Sequence, residues 1–148
     1  MDVSTTPTLC DLTVADYDAI LDLWRNAGLP VRAEGRDAPQ AFARQMTSGS
    51  QRVLGLRDDA RLVAVAVLTH DGRKGWVNRL AVEPAYRRRG LAHMLVAEAE
   101  RWFTAEIGLE IWAALIEDEN HASQALFEDL GYWRGAVVYV SKRTRPGA

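Results

Sequence analysis

The chain is poor in cysteine and lysine. Cys10 is the only cysteine among 148 residues, so no disulfide can form within the chain. That composition suits a reducing compartment. Lys74 and Lys142 are the only lysines, and arginine carries nearly all the positive charge. With 18 basic and 20 acidic residues the formal charge is −2. A general nucleic-acid binder would be basic over its domain, so no nucleic-acid partner is expected. His70, His93 and His121 are far apart and match no metal-ligand spacing, so no metal is expected. No apolar run reaches the roughly 20 residues of a membrane span. The opening, residues 1–7, is polar and lacks the apolar core of a secretory signal. Internal repeats, low-complexity tracts and linkers are also missing. The expectation is one domain over residues 1–148, loose at 1–7 and 144–148, in the cytoplasm and without a membrane partner.

What is present is ordinary globular material: 48% hydrophobic and 26% charged residues, enough for one sizeable core. Residues 8–12 read as a short strand. Thr13 then stands as a helix N-cap with Asp16 three residues on. Tyr17, Ile20, Leu21 and Trp24 follow at helical spacing, ending at Gly28-Leu29-Pro30. A polar loop over 32–39 leads to a second helix near 39–46. Residues 52–57 and 61–70 read as a hairpin, and 76–82 as a further strand. A helix is expected over 89–104, a strand over 109–116, a helix over 120–130 capped by Gly131, and a last strand over 132–142. The order is β-α-α-β-β-β-α-β-α-β. Short turns make the central strands antiparallel, and the helix after Gly90 suits a parallel crossover. This is an α/β chain, with a mixed α+β sheet and helices on both faces. The tryptophans Trp24, Trp76, Trp112 and Trp133 alternate with apolar neighbours and are expected mostly in the core.

One segment carries most of the functional information. The strand Leu80-Ala81-Val82 stops at Glu83-Pro84, and Arg87-Arg88-Arg89-Gly90 leads directly into a helix beginning Leu91-Ala92-His93. A helix start has free backbone N–H groups and a partial positive charge, which together bind phosphate. The dipole adds about 0.3–1 kcal/mol in favour of an anion. Gly90 permits unusual φ and close approach to the backbone.

The chain resembles the GNAT superfamily of acetyl-CoA-dependent N-acetyltransferases, over about residues 9–142. Two motifs carry the resemblance. One is Arg87-x-x-Gly90-x-Ala92 after the strand Arg79-Leu80-Ala81-Val82. The other is Asn120-x-x-Ser123-x-x-Leu126-Phe127-x-x-x-Gly131-Tyr132. Their spacing and strand–turn–helix settings make the pair specific where either alone is only moderately so. The chain is similar to small bacterial single-domain members with an acyl-CoA N-acyltransferase fold.

The resemblance implies acetyl-CoA as co-substrate. Its pyrophosphate would meet the backbone of Arg88, Arg89, Gly90, Leu91, Ala92 and His93 and the side chain of Arg87, with Arg88 and Arg89 toward solvent or the 3′-phosphate. Its pantetheine arm would run along Leu80, Ala81 and Val82. Asn120 would contact that arm, or cap the last helix, or both. The implied chemistry is direct attack by a primary amine of a small molecule or peptide, with a backbone N–H near Leu80 stabilising the oxyanion. Phe127 stands where many relatives place a tyrosine beside the sulfur. A phenyl ring donates no proton, so the general acid is unassigned, with Tyr132 and Tyr139 as candidates if they turn inward. A thiol pKa near ~8.5 makes unassisted departure tolerable. Glu117 is the candidate base, against the reading that Glu117, Asp118 and Glu119 are solvated or complement the next helix's N-terminus. Trp24, Glu34 and Asn78 are candidates for the acceptor side. Asp37 sits in the same loop as Glu34. His70 is a base by residue type, but at a hairpin end it is expected exposed and idle, and Cys10 is expected to be a core residue. A non-catalytic acyl-CoA-binding or sensing module is the alternative, and a homodimer is left open.

Overall fold

The computed structural model describes residues 6–148. Residues 1–5 of the expected loose lead-in lie outside the described residues. Five strands form one sheet in chain order: β1 (Thr8–Asp11), β2 (Gln51–Asp58), β3 (Arg61–His70), β4 (Gly75–Val82) and β5 (Trp112–Ala114). The first four are antiparallel to their neighbours, and β5 runs parallel to β4. The mixed sheet is as expected.

Helices α1 (Tyr17–Asn26) and α2 (Pro39–Met46) cover one face; α3 (Leu91–Arg101) and α4 (His121–Asp129) cover the other. The continuous apolar run of β3 follows from this. Val65 and Val67 join Ile20, Leu23, Trp24 and Phe42, while Ala64, Ala66 and Leu68 join Leu95, Ala99 and Phe103. A central strand covered on both sides has no polar face to show.

Local signals act as the sequence suggests. Thr13 Oγ1 accepts from Ala15 N–H, and Asp16 returns a bond to Thr13 N–H, closing a capping box before α1. Asn120 Oδ1 accepts from Ser123 N–H and caps α4. Gly131, at φ 87°, ends α4. Its N–H bonds Glu128 O, and Tyr132 N–H bonds Phe127 O, a Schellman arrangement that satisfies carbonyls the helix leaves open. After α3 the chain widens into a π-type turn, Trp102–Ile107, that buries Phe103. Phe103 packs onto Gly75, where a Cβ would lie 2.7 Å from the ring.

Four expectations are corrected. First, residues 132–142 form no strand. Strand propensity is realised only in a ladder, and they pair with no strand among the described residues. Second, β5 spans only Trp112–Ala114 rather than 109–116. Third, Trp133 is 87% exposed and outside the core, because the residues after it join no sheet that would cover it. Fourth, the tail is seated. Arg145 Nη2 donates to Glu34 O, and Gly147 O comes so near Gly35 that a Cβ there would lie 2.9 Å from it.

Candidate functional site

The turn between β4 and α3 has the backbone of an anion cradle. A single 3₁₀ turn, Pro84–Tyr86, follows β4. Arg88 (φ 64°) and Gly90 (φ 77°) are both left-handed, one on each side of Arg89. Gly90 is the N-cap of α3 and supplies no side-chain cap. The first helical bond runs from Met94 N–H to Gly90 O. The N–H groups of Leu91, Ala92 and His93 precede it, so they have no intrahelical acceptor. A Cβ at Gly90 would meet nothing within 4 Å. The protein therefore needs glycine there for its φ, and the space in front of it stays open. A left-handed arginine costs about 1–3 kcal/mol of backbone strain, which points to a constrained functional turn.

The three arginines differ. Arg89 is held over the Tyr86 ring, 4.8 Å from its centroid, with Nη2 3.4 Å from Ala85 O. Tyr86 is itself fixed by its hydroxyl, which donates to Asp58 Oδ2 at 2.6 Å. Arg87 and Arg88 are exposed. Their guanidinium groups bond no other described residue and stand beside the turn. His93 is exposed on the first turn of α3.

The sheet opens beside this turn. Pairing between β4 and β5 covers Gly75–Val77 against Trp112–Ala114 and stops there. The remainder of β4, from Asn78 to Val82, carries no β5 partner. On its other edge β4 is irregular. Val65 pairs with Ala81 and Val67 with Asn78, so Arg79 and Leu80 are left out of the ladder in a bulge with Arg79 at φ 52°. Along Leu80, Ala81 and Val82 the side of β4 that would face β5 is therefore unpaired, up to the turn that ends at Gly90. A bulge re-aims a strand in this way, and bulges cluster beside active sites.

Arg79 is the residue that sequence reasoning missed. Its guanidinium lies 4.2 Å above the Trp24 ring, and Nη2 donates to Pro30 O at 2.7 Å. Asp37 Oδ2 is 3.7 Å away and accepts from Arg32 N–H at 2.8 Å. Burial holds the Arg79 pKa below its ordinary value; nearby Arg36 and Arg32 add to this and Asp37 opposes it. Buried Nε atoms of Arg79 and Arg32, and Nε1 of Trp24, have no hydrogen-bond partner among the described residues. Trp24 is 3% exposed, so it floors this corner from inside the core. Glu34 and Asp37 both belong to the loop over it, and Tyr17 donates its hydroxyl proton to Asp37 O. Asn78 is tied across to β3, its Nδ2 3.0 Å from Thr69 Oγ1.

The remaining candidates are placed as follows. Glu117 is exposed; its backbone carbonyl, not its carboxylate, receives Gln124 Nε2. Asp118 and Glu119 are also exposed. Phe127 is buried, edge-on to Tyr132 at 4.8 Å between centroids. Tyr132 Oη accepts from Trp112 Nε1 at 2.9 Å. Burial, then the bond and charge of Glu100, push the Tyr132 pKa well above the usual tyrosine value. Tyr139 is 69% exposed. Cys10 is half-buried on β1 with Sγ 3.5 Å from Gly55 O. His70, expected idle, has a fixed role: Nδ1 accepts from Gly72 N–H at 3.0 Å and the ring meets Trp102 edge-on. A shallow depression of ≈ 460 Å³ lies by Gly72–Lys74 and Gly108–Ile111 and includes no cradle residue.

A parallel strand pair that opens beside a glycine-capped helix start leads to a family that comparison with known proteins identifies. The model of the acetyltransferase (GNAT) family matches residues 17–132, and the chain belongs to that family. An acetyltransferase of Yersinia pestis (strain Pestoides F) is 23% identical over 128 residues, 86% of this chain and 89% of its own. Among solved structures, an aminoglycoside 6′-N-acetyltransferase from Acinetobacter haemolyticus superposes with a TM-score of 0.75 at 22% identity, covering 93% of this chain and 99% of the other. An aminoglycoside N-acetyltransferase in complex with CoA has a TM-score of 0.76 at 16% identity, covering 98% and 100%. At these identities the likeness shows the fold. Among the described residues no group of histidine, cysteine and carboxylate side chains could hold a metal ion.

Proposed function

We propose that this acetyltransferase moves the acetyl group of acetyl-CoA to a primary amine of a small molecule or peptide, by direct attack with both bound. The observation that carries the reading is the open β4 edge at Leu80–Val82 continuing into the left-handed turn at Arg88 and Gly90. The donor set fits a phosphorylated thiol ester. N–H groups at Leu91, Ala92 and His93, with Arg87 and Arg88, suit the pyrophosphate and the 3′-phosphate. The β4 edge along Leu80, Ala81 and Val82, unpaired on its β5 side, suits the amides of the pantetheine arm, as an added strand would.

Acetyl-CoA supplies an activated acyl carbon. The amine nitrogen bonds to that carbon as the carbon–sulfur bond breaks, one amine proton is lost, and the thiolate takes up a proton. The Leu80 N–H, out of the β3–β4 ladder, serves the oxyanion. Asn120 caps α4 and offers its amide nitrogen toward the arm. Phe127 supplies no proton, and water protonates the thiolate. Glu117 is solvated, and it would serve as base through water rather than by direct contact. Trp24 and Arg79 floor the acceptor corner, with Glu34 on its wall and Asn78 ordering water. The reaction takes place in the cytoplasm; no helix among the described residues is long and apolar enough to cross a membrane.

A second reading is favoured by the burial of Phe127 and the engagement of Tyr132 with Trp112: a non-catalytic acyl-CoA-binding or sensing module. Thiol release from acetyl-CoA, measured against a panel of amines, amino acids, peptides and aminoglycosides, separates the two. Turnover with any acceptor is expected. Binding of acetyl-CoA with no turnover across the panel supports the sensor, and no binding sinks both.

A further inference from the structure

The corner over Trp24 holds more hydrogen-bond donors than acceptors. A guanidinium has several N–H bonds to place. That of Arg79 finds one acceptor among the described residues, Pro30 O, through Nη2. Its own Nε, the Nε of Arg32 and the Nε1 of Trp24 are buried without a partner among the described residues. All three belong to one place. Arg79 lies on the Trp24 ring, and Asp37, 3.7 Å from Arg79 Nη2, accepts from Arg32 N–H. A donor buried without an acceptor is costly, and each one in a folded chain calls for an explanation.

The carboxylates at hand do not balance the corner. Asp37 is beyond hydrogen-bond distance of Arg79 Nη2 and is already engaged by Arg32 N–H. The Glu34 side chain is exposed. Arg32, Arg36 and Arg79 against Glu34 and Asp37 leave an excess of a single positive charge. That excess suits a carboxylate better than a dianionic phosphate. The geometry agrees. The flat face of the Arg79 guanidinium is taken by the Trp24 ring, 4.2 Å away, which leaves its N–H edge. That edge is the part that grips a carboxylate with two parallel bonds. The side chain is 27% exposed, so a group from outside reaches it, and with Nε buried the Nη1–Nη2 end is the accessible fork. Arg79 also stands in the β4 bulge, at φ 52° and next in the chain to Leu80.

We propose that Arg79 and Arg32 form a carboxylate subsite, and that the acceptor is a zwitterion: an amino acid or short peptide whose carboxylate docks on the Arg79 edge while its amine faces the thioester beside Leu80. The inference rests on the acetyl-transfer reading above and narrows its acceptor. The bound carboxylate supplies the acceptor atoms that the corner lacks, and its charge offsets the excess. Because Arg79 adjoins Leu80, amine and carboxylate are separated by no more than the reach of an arginine side chain.

The test compares matched acceptors. L-amino acids, β-alanine and dipeptides are each paired with the corresponding C-terminal amide, and thiol release from acetyl-CoA is measured for both. The amide lacks the negative charge and has a less basic amine, so chemistry alone favours the amide. At least one acid is expected to exceed its amide by about tenfold or more in kcat/KM. Arg79→Gln is expected to bring that ratio within about threefold by raising KM for the acid. Arg79→Lys keeps the charge without the fork and falls between. Arg32→Gln shifts KM for the acid in the same direction and serves if the Arg79 variants fail to fold. A second measurement needs no turnover. In ¹H–¹⁵N spectra of the protein with CoA, the Arg79 Nε–H resonance, assigned by its loss in Arg79→Gln, is expected to move saturably with sodium acetate and not with acetamide or sodium chloride. Amides equal to or better than acids throughout, or acetate acting no differently from chloride, would overturn the subsite, and acetyl transfer would still stand on the turnover observed. No turnover with any acceptor defeats the transfer reading, and the acetate titration then decides the subsite by itself.

Discussion

The guanidinium of Arg79 lies 4.2 Å over the indole of Trp24, joining a bulge in β4 to the floor beneath the α1–α2 loop. This contact ties the strand that offers Leu80 to the loop that holds Glu34 and Asp37. A cation–π pair of this kind contributes about 1–2 kcal/mol when partly desolvated. Arg79→Ala is expected to lower thermal stability by about that amount, and to raise KM for the amine while leaving acetyl-CoA affinity within about twofold. Calorimetric unfolding and titration with acetyl-CoA check the two parts. An equal loss of acetyl-CoA affinity would show that Arg79 holds the whole cleft rather than its acceptor side.

The same corner carries Arg32, Arg36 and Arg79 against Glu34 and Asp37, one more positive charge than negative. A polycationic amine meets like charge there. Aminoglycosides are expected to be poorer acceptors than neutral or zwitterionic amines in a steady-state panel, and more so at low ionic strength. Aminoglycosides outperforming the neutral amines would refute this reading of the wall.

The cradle makes opposite predictions at its two left-handed residues. Gly90→Glu adds a Cβ at positive φ and a negative charge facing the phosphate site, so acetyl-CoA affinity is expected to fall at least about a hundredfold. Arg88→Gly relieves strain at φ 64° and is expected to stabilise the fold by about 1 kcal/mol, with a modest loss of acetyl-CoA affinity from the lost charge. Isothermal titration and chemical denaturation measure both. Intact affinity in Gly90→Glu would remove the turn from the cofactor site.

Gly75→Ala places a methyl group 2.7 Å from the Phe103 ring. The ring is fully buried and cannot withdraw, so overpacking is expected to cost about 1–3 kcal/mol in urea unfolding. Gly75→Ala with Phe103→Leu should recover part of the loss, which a simple backbone effect at residue 75 would not allow.

Acid sensitivity follows from Asp16. Its burial raises the pKa, but bonds from Thr13 and Arg57 outweigh this and hold it below the ordinary carboxylate value. A pKa lower in the folded than in the unfolded chain means stability that is present above the unfolded pKa and lost as pH falls through the folded one. The loss begins below the ordinary value of 3.8. Asp16→Asn is expected to flatten the fall in melting temperature over that acid range. Parallel curves for parent and variant would rule out Asp16 as the source.

The cradle was legible because its parts are contiguous: a strand, a basic turn, a glycine and a helix start are read within one stretch of chain. β3 was legible because burial on both faces leaves an unbroken apolar run. Arg79 was not legible. Its left-handed backbone and its seat over Trp24 arise from a register shift between β3 and β4, and both lie far from Trp24 in sequence. Glu117 was read as a base from its place after a strand, and the structure leaves its carboxylate in solvent. The segment 132–142 was half legible. Its residues carry a strand's composition, but composition names no partner.

By itself, then, the sequence determined the family, the two-faced sheet and the glycine turn at the start of α3, since each depends on local spacing that the backbone obeys directly. The tertiary structure alone decided where the sheet opens, which arginine sits over Trp24 and that residues 135–143 pair with no strand among the described residues. Those depend on pairing between distant segments, where a strand's hydrogen bonds are satisfied only if a free edge lies within reach.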